Sequence, residues 1–372
     1  MIEPRPQPVI PHPLLATSPP RIALVGGQWA QNVGNAFFNL GGHYVLRRVF
    51  GPDAVGFHQD QPNYRTLHNK FKGNPPTYAD LIQDLEIDWL VLQGPVLNAW
   101  MAASWQQTFA TLKARGVRIM LHSAAFFKFS EVELVAVKAF LQAYPPDLIS
   151  TRDPRSHGLL SDWLPDVPCY SGIDAGFFLP QAVSPFKFRT PPHLVMNFDR
   201  YPEPSVAETP FDSSRFRTRQ ITHDGVEWHL GIPKRLDRLA HRGKIKAYLG
   251  DLTDRRHLPK TINGLRVIRP EHRFFPHMTH KIYRQPGAFA SDEPWSYLST
   301  YANSNLTLSD RVHACVATLA YGNRAMLFTP SPRAALFESL GLEDIRNQVM
   351  QLDLDRLSEA QETQISWLQS HV

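Results

Sequence analysis

Two kinds of hydrophobic run alternate along this chain. Short, nearly continuous apolar blocks occupy residues 21–26 (RIALVG), 88–93 (DWLVLQ), 117–122 (VRIMLH) and 147–151 (DLIST). Blocks of that length, bounded by polar or turn residues, read as strands buried on both faces of a sheet. Between them apolar positions recur at helical spacing, over residues 33–50, 101–115, 130–143 and 154–163. Strand followed by helix, repeated at this interval, predicts a parallel sheet covered by helices on both sides.

The alternation stops at residues 180–192 (PQAVSPFKFRTPP), whose prolines predict a linker, and resumes at residues 193–198 (HLVMNF). Further strands are expected over 226–232, 265–268, 305–308 and 325–328, with helices over 234–249, 311–321 and 333–340. Residues 201–220 are polar, carry prolines and show no period, so they read as a loop. The last thirty residues have the pattern of one or two amphipathic helices. The chain therefore divides into a disordered proline-rich leader (1–20), an N-terminal Rossmann-like α/β domain (21–185), a C-terminal one (186–345) and a helical tail (346–372). Two doubly wound domains of this kind face a cleft, and ligands bind outside the carboxyl ends of their strands.

Composition supports this division. A chain of 372 residues exceeds what one compact core usually holds. No stretch approaches the ~20 apolar residues of a membrane span, and the leader lacks the apolar core and cleavage site of a signal peptide. Cys169 and Cys315 cannot make a disulfide framework, which fits reduced thiols in a cytoplasmic enzyme. Charge changes the picture more. Between residues 233 and 284, fourteen lysines and arginines face four acids. Such a stretch attracts anions, whether a phosphorylated substrate, a membrane surface or nucleic acid, although a merely solvated basic face stays open. Zinc-ligand spacing, an RNA-recognition aromatic motif and a basic coiled coil are all missing from the sequence, so no nucleic acid partner is expected.

Three segments at predicted strand ends carry candidate chemistry. After the first strand, the turn GGQWAQNVGNAFF sets Gly26, Gly27 and Gly34 where a backbone can approach a ligand and a helix N-terminus offers free amides. Its spacing matches neither the dinucleotide fingerprint nor the phosphate loop, and a plain tight turn reads equally well. At residues 151–156 (TRDPRS), Asp153 and Pro154 make a helix start with the aspartate as N-cap. Arg152 falls at the strand's carboxyl end, where it could bind a carboxylate or phosphate, or else pair with a nearby acid. At residues 308–314 (LSDRVHA), a strand meets a cap, either Ser309 or Asp310, and then a helix with Arg311 and His313 in its first turn. Arg311 there favours an anion, and His313 could donate a proton or bind phosphate. A histidine inside a helix can equally be structural.

Taken in order, these segments resemble the polysaccharide pyruvyl transferase superfamily, over about residues 21 to 342. Its N-x-G-D turn is similar to Asn32-Val33-Gly34-Asn35, and its strand with a following glycine run to residues 88–94. Its R-D-x-x-S element is similar to Arg152, Asp153 and Ser156, and its D-x-[AG]-F-x-L stretch to residues 174–179. Its R-x-H helix start, with an alanine-rich helix behind it, is similar to residues 311–322. Asn35 stands where the family usually has aspartate, Gln93-Gly94-Pro95 replaces a run of glycines, and residues 201–256 are hard to match.

The resemblance implies a GT-B-like fold and transfer of the pyruvyl group of phosphoenolpyruvate onto two hydroxyls of one sugar, giving a cyclic ketal and phosphate. It implies that Arg152, Arg311 and Ser309 bind the donor. His313 would be the acid that protonates the methylene carbon, or else a phosphate ligand, and Asp174 the base for the sugar hydroxyl. Asn32, Gly34 and Asn35 would face the acceptor, a sugar of a bacterial surface polysaccharide or its lipid-diphosphate-linked precursor. No cofactor and no metal are called for, because fixed cations and amides can stabilise the charge. The basic second half would help the enzyme reach the inner membrane face as a peripheral protein. Two rivals share much of this pattern. A GT-B glycosyltransferase would need a nucleotide pocket, and a non-catalytic polysaccharide assembly protein would leave the arginine–histidine pair idle.

Overall fold

The computed structural model describes residues 19, 21–27, 29, 32–59, 79–272 and 285–372. The expected leader, save Pro19, and part of the first turn lie outside them. The first apolar block forms β1 (Ile22–Gly26), and α1 (Gly34–Phe50) follows it. β2 (Val55–Gln59), β3 (Trp89–Gln93), β4 (Arg118–Ala124), β5 (Leu148–Thr151) and β6 (Cys169–Ser171) join β1 in one sheet, every pair parallel, in the order β2-β1-β3-β4-β5-β6. Every residue of β1 and β3 is buried, as strands covered on both faces must be. The helix expected over 101–115 is two, α2 (Ala99–Ser104) and α3 (Gln106–Ala114). Trp105 ends one and begins the other, and its side chain is anchored in the core at the break. α4 (Glu131–Ala143) and α5 (Pro154–Trp163) follow.

The second domain opens with β7 (His193–Asn197). Residues 201–220 are not the plain loop expected of them. They supply β8 (Ser205–Ala207) and most of β9 (Phe216–His223), which flank β10 (Val226–Pro233) in an antiparallel sheet. Only two of the eight residues of β9 are buried, so it carries little apolar signature to read. The helix expected over 234–249 is likewise two, α6 (Lys234–His241) and α7 (Lys244–Thr253). Gly243, at φ 124°, breaks them apart.

β11 (Thr261–Ile262), β12 (Leu265–Pro270), β13 (Ala288–Phe289), α8 (Trp295–Ala302), β14 (Ser304–Ser309), α9 (Val312–Ala320) and β15 (Arg324–Leu327) come next. Residues 333–340 lie in 3₁₀ turns (Pro332–Leu340) instead of an α-helix. β16 (Met350–Gln351) and α10 (Leu354–Gln369) finish the chain. The second sheet runs β11-β12-β7-β14-β15-β16 with β13 beside β12; its central strands are parallel and β11 and β16 are antiparallel edges.

The domains share a core. All nine residues of α9 are buried, as befits a helix that is apolar on nearly every side. Its Val312, Cys315, Val316 and Leu319 pack in one cluster with Leu24, Val45, Phe177 and Phe178 of the first domain. Gly41 lets α1 lie against the carbonyl oxygen of Ala175; a Cβ there would overlap that oxygen. The tail carries one helix, α10, which returns to the first domain. Gln361 Nε2 donates to the Phe177 carbonyl at 2.7 Å, the Ile173 amide donates to Gln364 Oε1 at 2.8 Å, and Trp367 stacks on Tyr170. Two doubly wound domains, closed by a helix that crosses back, give the GT-B-like architecture expected. Among the described residues no helix is long and apolar enough to cross a membrane.

Candidate active site

The carboxyl ends of both sheets point at the seam between the domains, and the candidate residues meet there. Arg152 follows β5 directly. Asp153 caps α5 as expected, its carboxylate accepting the Ser156 amide at 2.7 Å and the Ser156 hydroxyl at 2.8 Å. Arg152 is thereby turned away from the cap and into the seam, where Nη1 donates to Asp174 Oδ2 at 2.6 Å. Asp174, beyond β6, also accepts the Gly176 amide at 2.8 Å and so begins the turn Ala175–Phe178. Its Oδ2 lies 3.6 Å from His313 Nε2. Burial alone would raise the Asp174 pKa, but the Arg152 charge, then His313, outweigh it and hold the carboxyl well below its usual range.

Arg311 and His313 enter from the second domain. The cap of α9 differs from both residues expected: Arg311 itself occupies the N-cap position, with no side-chain cap. Ser309 Oγ instead accepts the Arg311 amide at 2.8 Å and donates to Asn197 Oδ1 at 2.9 Å. The Asp310 carboxylate accepts the amides of Asp199, Arg200 and Tyr201, which pins the loop after β7. The Arg311 guanidinium then bridges the domains. Its Nε is 3.2 Å from Asp199 Oδ2, and its Nη2 donates to Asn32 Oδ1 at 2.8 Å. Asn32 Nδ2 in turn donates to Asn35 Oδ1 at 2.9 Å. The residues assigned to acceptor and donor sides thus form one cluster.

Histidines fill the space between. His313 lies beside the Phe38 ring, with centroids 5.1 Å apart. Burial lowers its pKa, and the opposing pull of Asp174 does not cancel that, so the imidazole is neutral near pH 7. His272 lies just past β12; its backbone carbonyl accepts the Val33 amide at 3.0 Å, and its Nε2 bonds the Tyr301 hydroxyl. Burial, then the charges of Arg311 and His313, push the His272 pKa well down. Gly34 allows this approach, since a Cβ there would lie 3.2 Å from His272 Nδ1 and 3.4 Å from His313 Cβ. His122, within the last three residues of β4, bonds Ser150 Oγ at 3.0 Å, and burial pushes its pKa down to about 4 against the pull of Asp174.

Among the described residues four buried nitrogens of this cluster have no partner within hydrogen-bond distance: Arg152 Nη2, His122 Nε2, His272 Nδ1 and His313 Nε2, the last 3.6 Å from Asp174 Oδ2. Buried polar atoms are nearly always matched, so an unmatched set gathered at one seam is suited to a ligand that brings acceptors. The residues missed by sequence reasoning are Asp199, His272, His122 and Arg333, whose charge also acts on His313. Asp199 and His122 sit at or just past the ends of expected strands, so the rule that exposed Arg152 could have found them. His272 was hidden because β12 runs two residues beyond its expected end, and Arg333 has no signal in its SPR turn.

Fold and cluster together make this a two-domain α/β protein with buried arginines and histidines gathered between its domains. Over residues 32–332 the sequence matches the model of the polysaccharide pyruvyl transferase family. The chain belongs to that family, and so to the transferases. No curated protein matches it. Among solved structures it is similar to S. aureus MnaA in complex with UDP, at 10% identity over 95% of this chain and 91% of that one, with a TM-score of 0.49. It is also similar to UDP-N-acetylglucosamine 2-epimerase from Rickettsia bellii, at 11% identity, 93% and 88% coverage and a TM-score of 0.46. The UDP-GlcNAc 2-epimerase from Neisseria meningitidis, bound to UDP-GlcNAc, gives 10%, 94% and 93%, and 0.44. Likeness of this degree does not bear on activity; the family assignment rests on sequence.

Proposed function

We propose that the protein transfers the pyruvyl group of phosphoenolpyruvate onto two hydroxyls of a sugar in a surface polysaccharide or its lipid-linked precursor. The observation that carries the reading is the set of unmatched nitrogens on Arg152, His313 and His272 beside Arg311. A small ligand with a carboxylate and a phosphate supplies the acceptors and the negative charge such a set lacks.

The chemistry follows from the charges. The donor's anionic groups lie against Arg152 and Arg311, and their field adds to that of Asp174 on His313, raising its pKa so that it binds a proton with the donor. His313 passes that proton to the methylene carbon, which becomes a methyl group. The neighbouring carbon turns cation-like and takes the first sugar hydroxyl; the second hydroxyl then displaces phosphate and closes the ketal. Of the two hydroxyl protons, one restores His313 and the other leaves on phosphate. Asp174, locked to Arg152, is a weak base, so we assign it to positioning Arg152 and His313 and not to accepting the hydroxyl proton. Ser309 sets the Arg311 backbone. Asn32, Gly34 and Asn35 form the first-domain wall toward the acceptor.

The test is to incubate the protein with phosphoenolpyruvate and a panel of bacterial surface-sugar glycosides. Acceptor-dependent phosphate release, with a product heavier by one pyruvate less one water, is expected. Release of a nucleoside diphosphate from a nucleotide sugar, with no such product, would instead establish the glycosyltransferase reading.

A further inference from the structure

The hairpin of α6 and α7 stands on the loop after β7 that Asp310 pins beside the site. Arg200 Nη2 donates to the Ala240 carbonyl at 3.4 Å, and the Tyr201 ring lies 5.0 Å from that of His241. The amides of Arg200 and Tyr201 are two of the three held by Asp310, the residue before Arg311. Inside the hairpin, Leu239 and Leu236 of α6 pack on Gly250 of α7, which fixes the inward face of α7.

The opposite face of α7 is apolar and bare. Ile245, Leu249 and Leu252 recur at i, i+4 and i+7, one stripe of a helix, and are 77%, 52% and 38% exposed. Around the stripe stand exposed Lys234, Arg235, Arg238, Arg242, Lys246 and Arg255, none of them in an ion pair among the described residues. The nearby acids are taken: Asp237 by Arg217 and His241, Asp254 by Arg256, and Asp251 is partnered as well. The first domain offers a contrast. Exposed Val132 and Val135 on α4 stand between Glu131 and Lys138, so that apolar patch has a mixed surround and not a positive one.

We infer that the outward face of the α6–α7 hairpin docks on an anionic lipid surface. Bare aliphatic side chains ringed by lysine and arginine match the boundary between acyl chains and acidic headgroups. A second copy of the chain fits poorly, because a two-fold contact through this face would set like charges against each other. A nucleic acid would use the cations but has no use for an aliphatic stripe. Docked this way, the hairpin holds the loop of Arg200 and Tyr201, and the site behind it, beside the membrane. That purpose rests on the lipid-linked acceptor proposed above; the binding does not, so the two ideas can fail separately.

The experiment is co-sedimentation of the whole protein with vesicles of phosphatidylglycerol mixed with phosphatidylcholine, against phosphatidylcholine alone. Binding to the mixed vesicles alone is expected, weakening as salt rises. It should fall by about tenfold in Ile245→Ser/Leu249→Ser and again in Arg235→Glu/Arg238→Glu. Both variants change exposed positions and should keep the wild-type melting temperature. Absence of binding to mixed vesicles overturns the inference, as does binding that both variants leave unchanged. Sedimentation velocity showing that the Ile245→Ser/Leu249→Ser variant dissociates a dimer would assign the face to self-association.

Discussion

Arg152 and Arg269 are both nearly sealed from water, with side chains 1% and 2% exposed, and each faces a carboxylate. Arg269 grips Glu203 through two bonds of 2.8 Å and also donates to the carbonyls of Pro286 and Pro259, at 2.7 and 3.0 Å. Among the described residues the Arg152 side chain makes one bond, to Asp174, and its Nη2 finds no acceptor. An unmatched buried donor costs about 1–3 kcal/mol, which a folded chain seldom tolerates without use. Burial and ion pairing therefore do not separate the two arginines; the open donor of Arg152 at the seam does. Arg269 ties β12 to the segment after β7, whereas Arg152 keeps capacity for a ligand.

The largest effect should come from the groups that share the open side with Arg152. His313→Gln should lower turnover by about 10²–10⁴-fold with the melting temperature retained. Arg311→Ala should also abolish turnover. It should lower the melting temperature too, because that guanidinium links Asn32 to Asp199 across the domains. Normal turnover in His313→Gln would break the comparison outright.

Paired lysine substitutions sharpen it. Arg269→Lys loses a bidentate grip and two carbonyl contacts, so stability to denaturant should fall by about 2–4 kcal/mol while donor dependence stays unchanged. Arg152→Lys keeps a charge opposite Asp174 but loses the open Nη2, so the donor KM should rise with stability little changed. The reverse pattern would exchange the two roles.

Acid should weaken the whole seam by a smaller amount. His122, His272 and His313 all have pKa values lowered by burial, so the unfolded chain binds their protons more readily. Their stabilising contribution is complete above about pH 6.5, the unfolded value, and is lost as pH falls toward about 4. Denaturant unfolding at pH 7 and pH 5 should differ by on the order of 2 kcal/mol. Equal stability would mean that protons reach the seam freely. The smallest change is Gly34→Ala. A Cβ at that position would press on His272 Nδ1 at 3.2 Å and shift that ring by a few tenths of an ångström, so turnover should fall several-fold with little loss of stability.

Much of this was legible in the sequence because the physics was local. Continuous apolar blocks marked β1, β3, β4 and β5, and Asp153-Pro154 marked the start of α5. Strand ends followed by Arg152 and by Arg311 and His313 located the seam. Signals that depend on partners were lost. β9 is a little-buried strand whose pairing comes from β10, although the turn Asp224-Gly225, with both φ positive, is a hairpin signal that could have revealed it. The pairing of Arg152 with Asp174 and the cross-domain bond of Arg311 to Asn32 join residues far apart in the chain, and no spacing rule reports them. That pairing is the ground on which we propose Asp174 as a positioning group in place of the base that the resemblance implied.

The most direct test of the central claim is a thermal-shift comparison of phosphoenolpyruvate with nucleotide sugars, on wild type and Arg311→Ala. A ligand at a hundred times its dissociation constant stabilises the native state by about 2.7 kcal/mol, enough to read. The account predicts a shift with phosphoenolpyruvate that Arg311→Ala abolishes. A shift with a nucleotide sugar alone, or one with phosphoenolpyruvate that survives in Arg311→Ala, would contradict it.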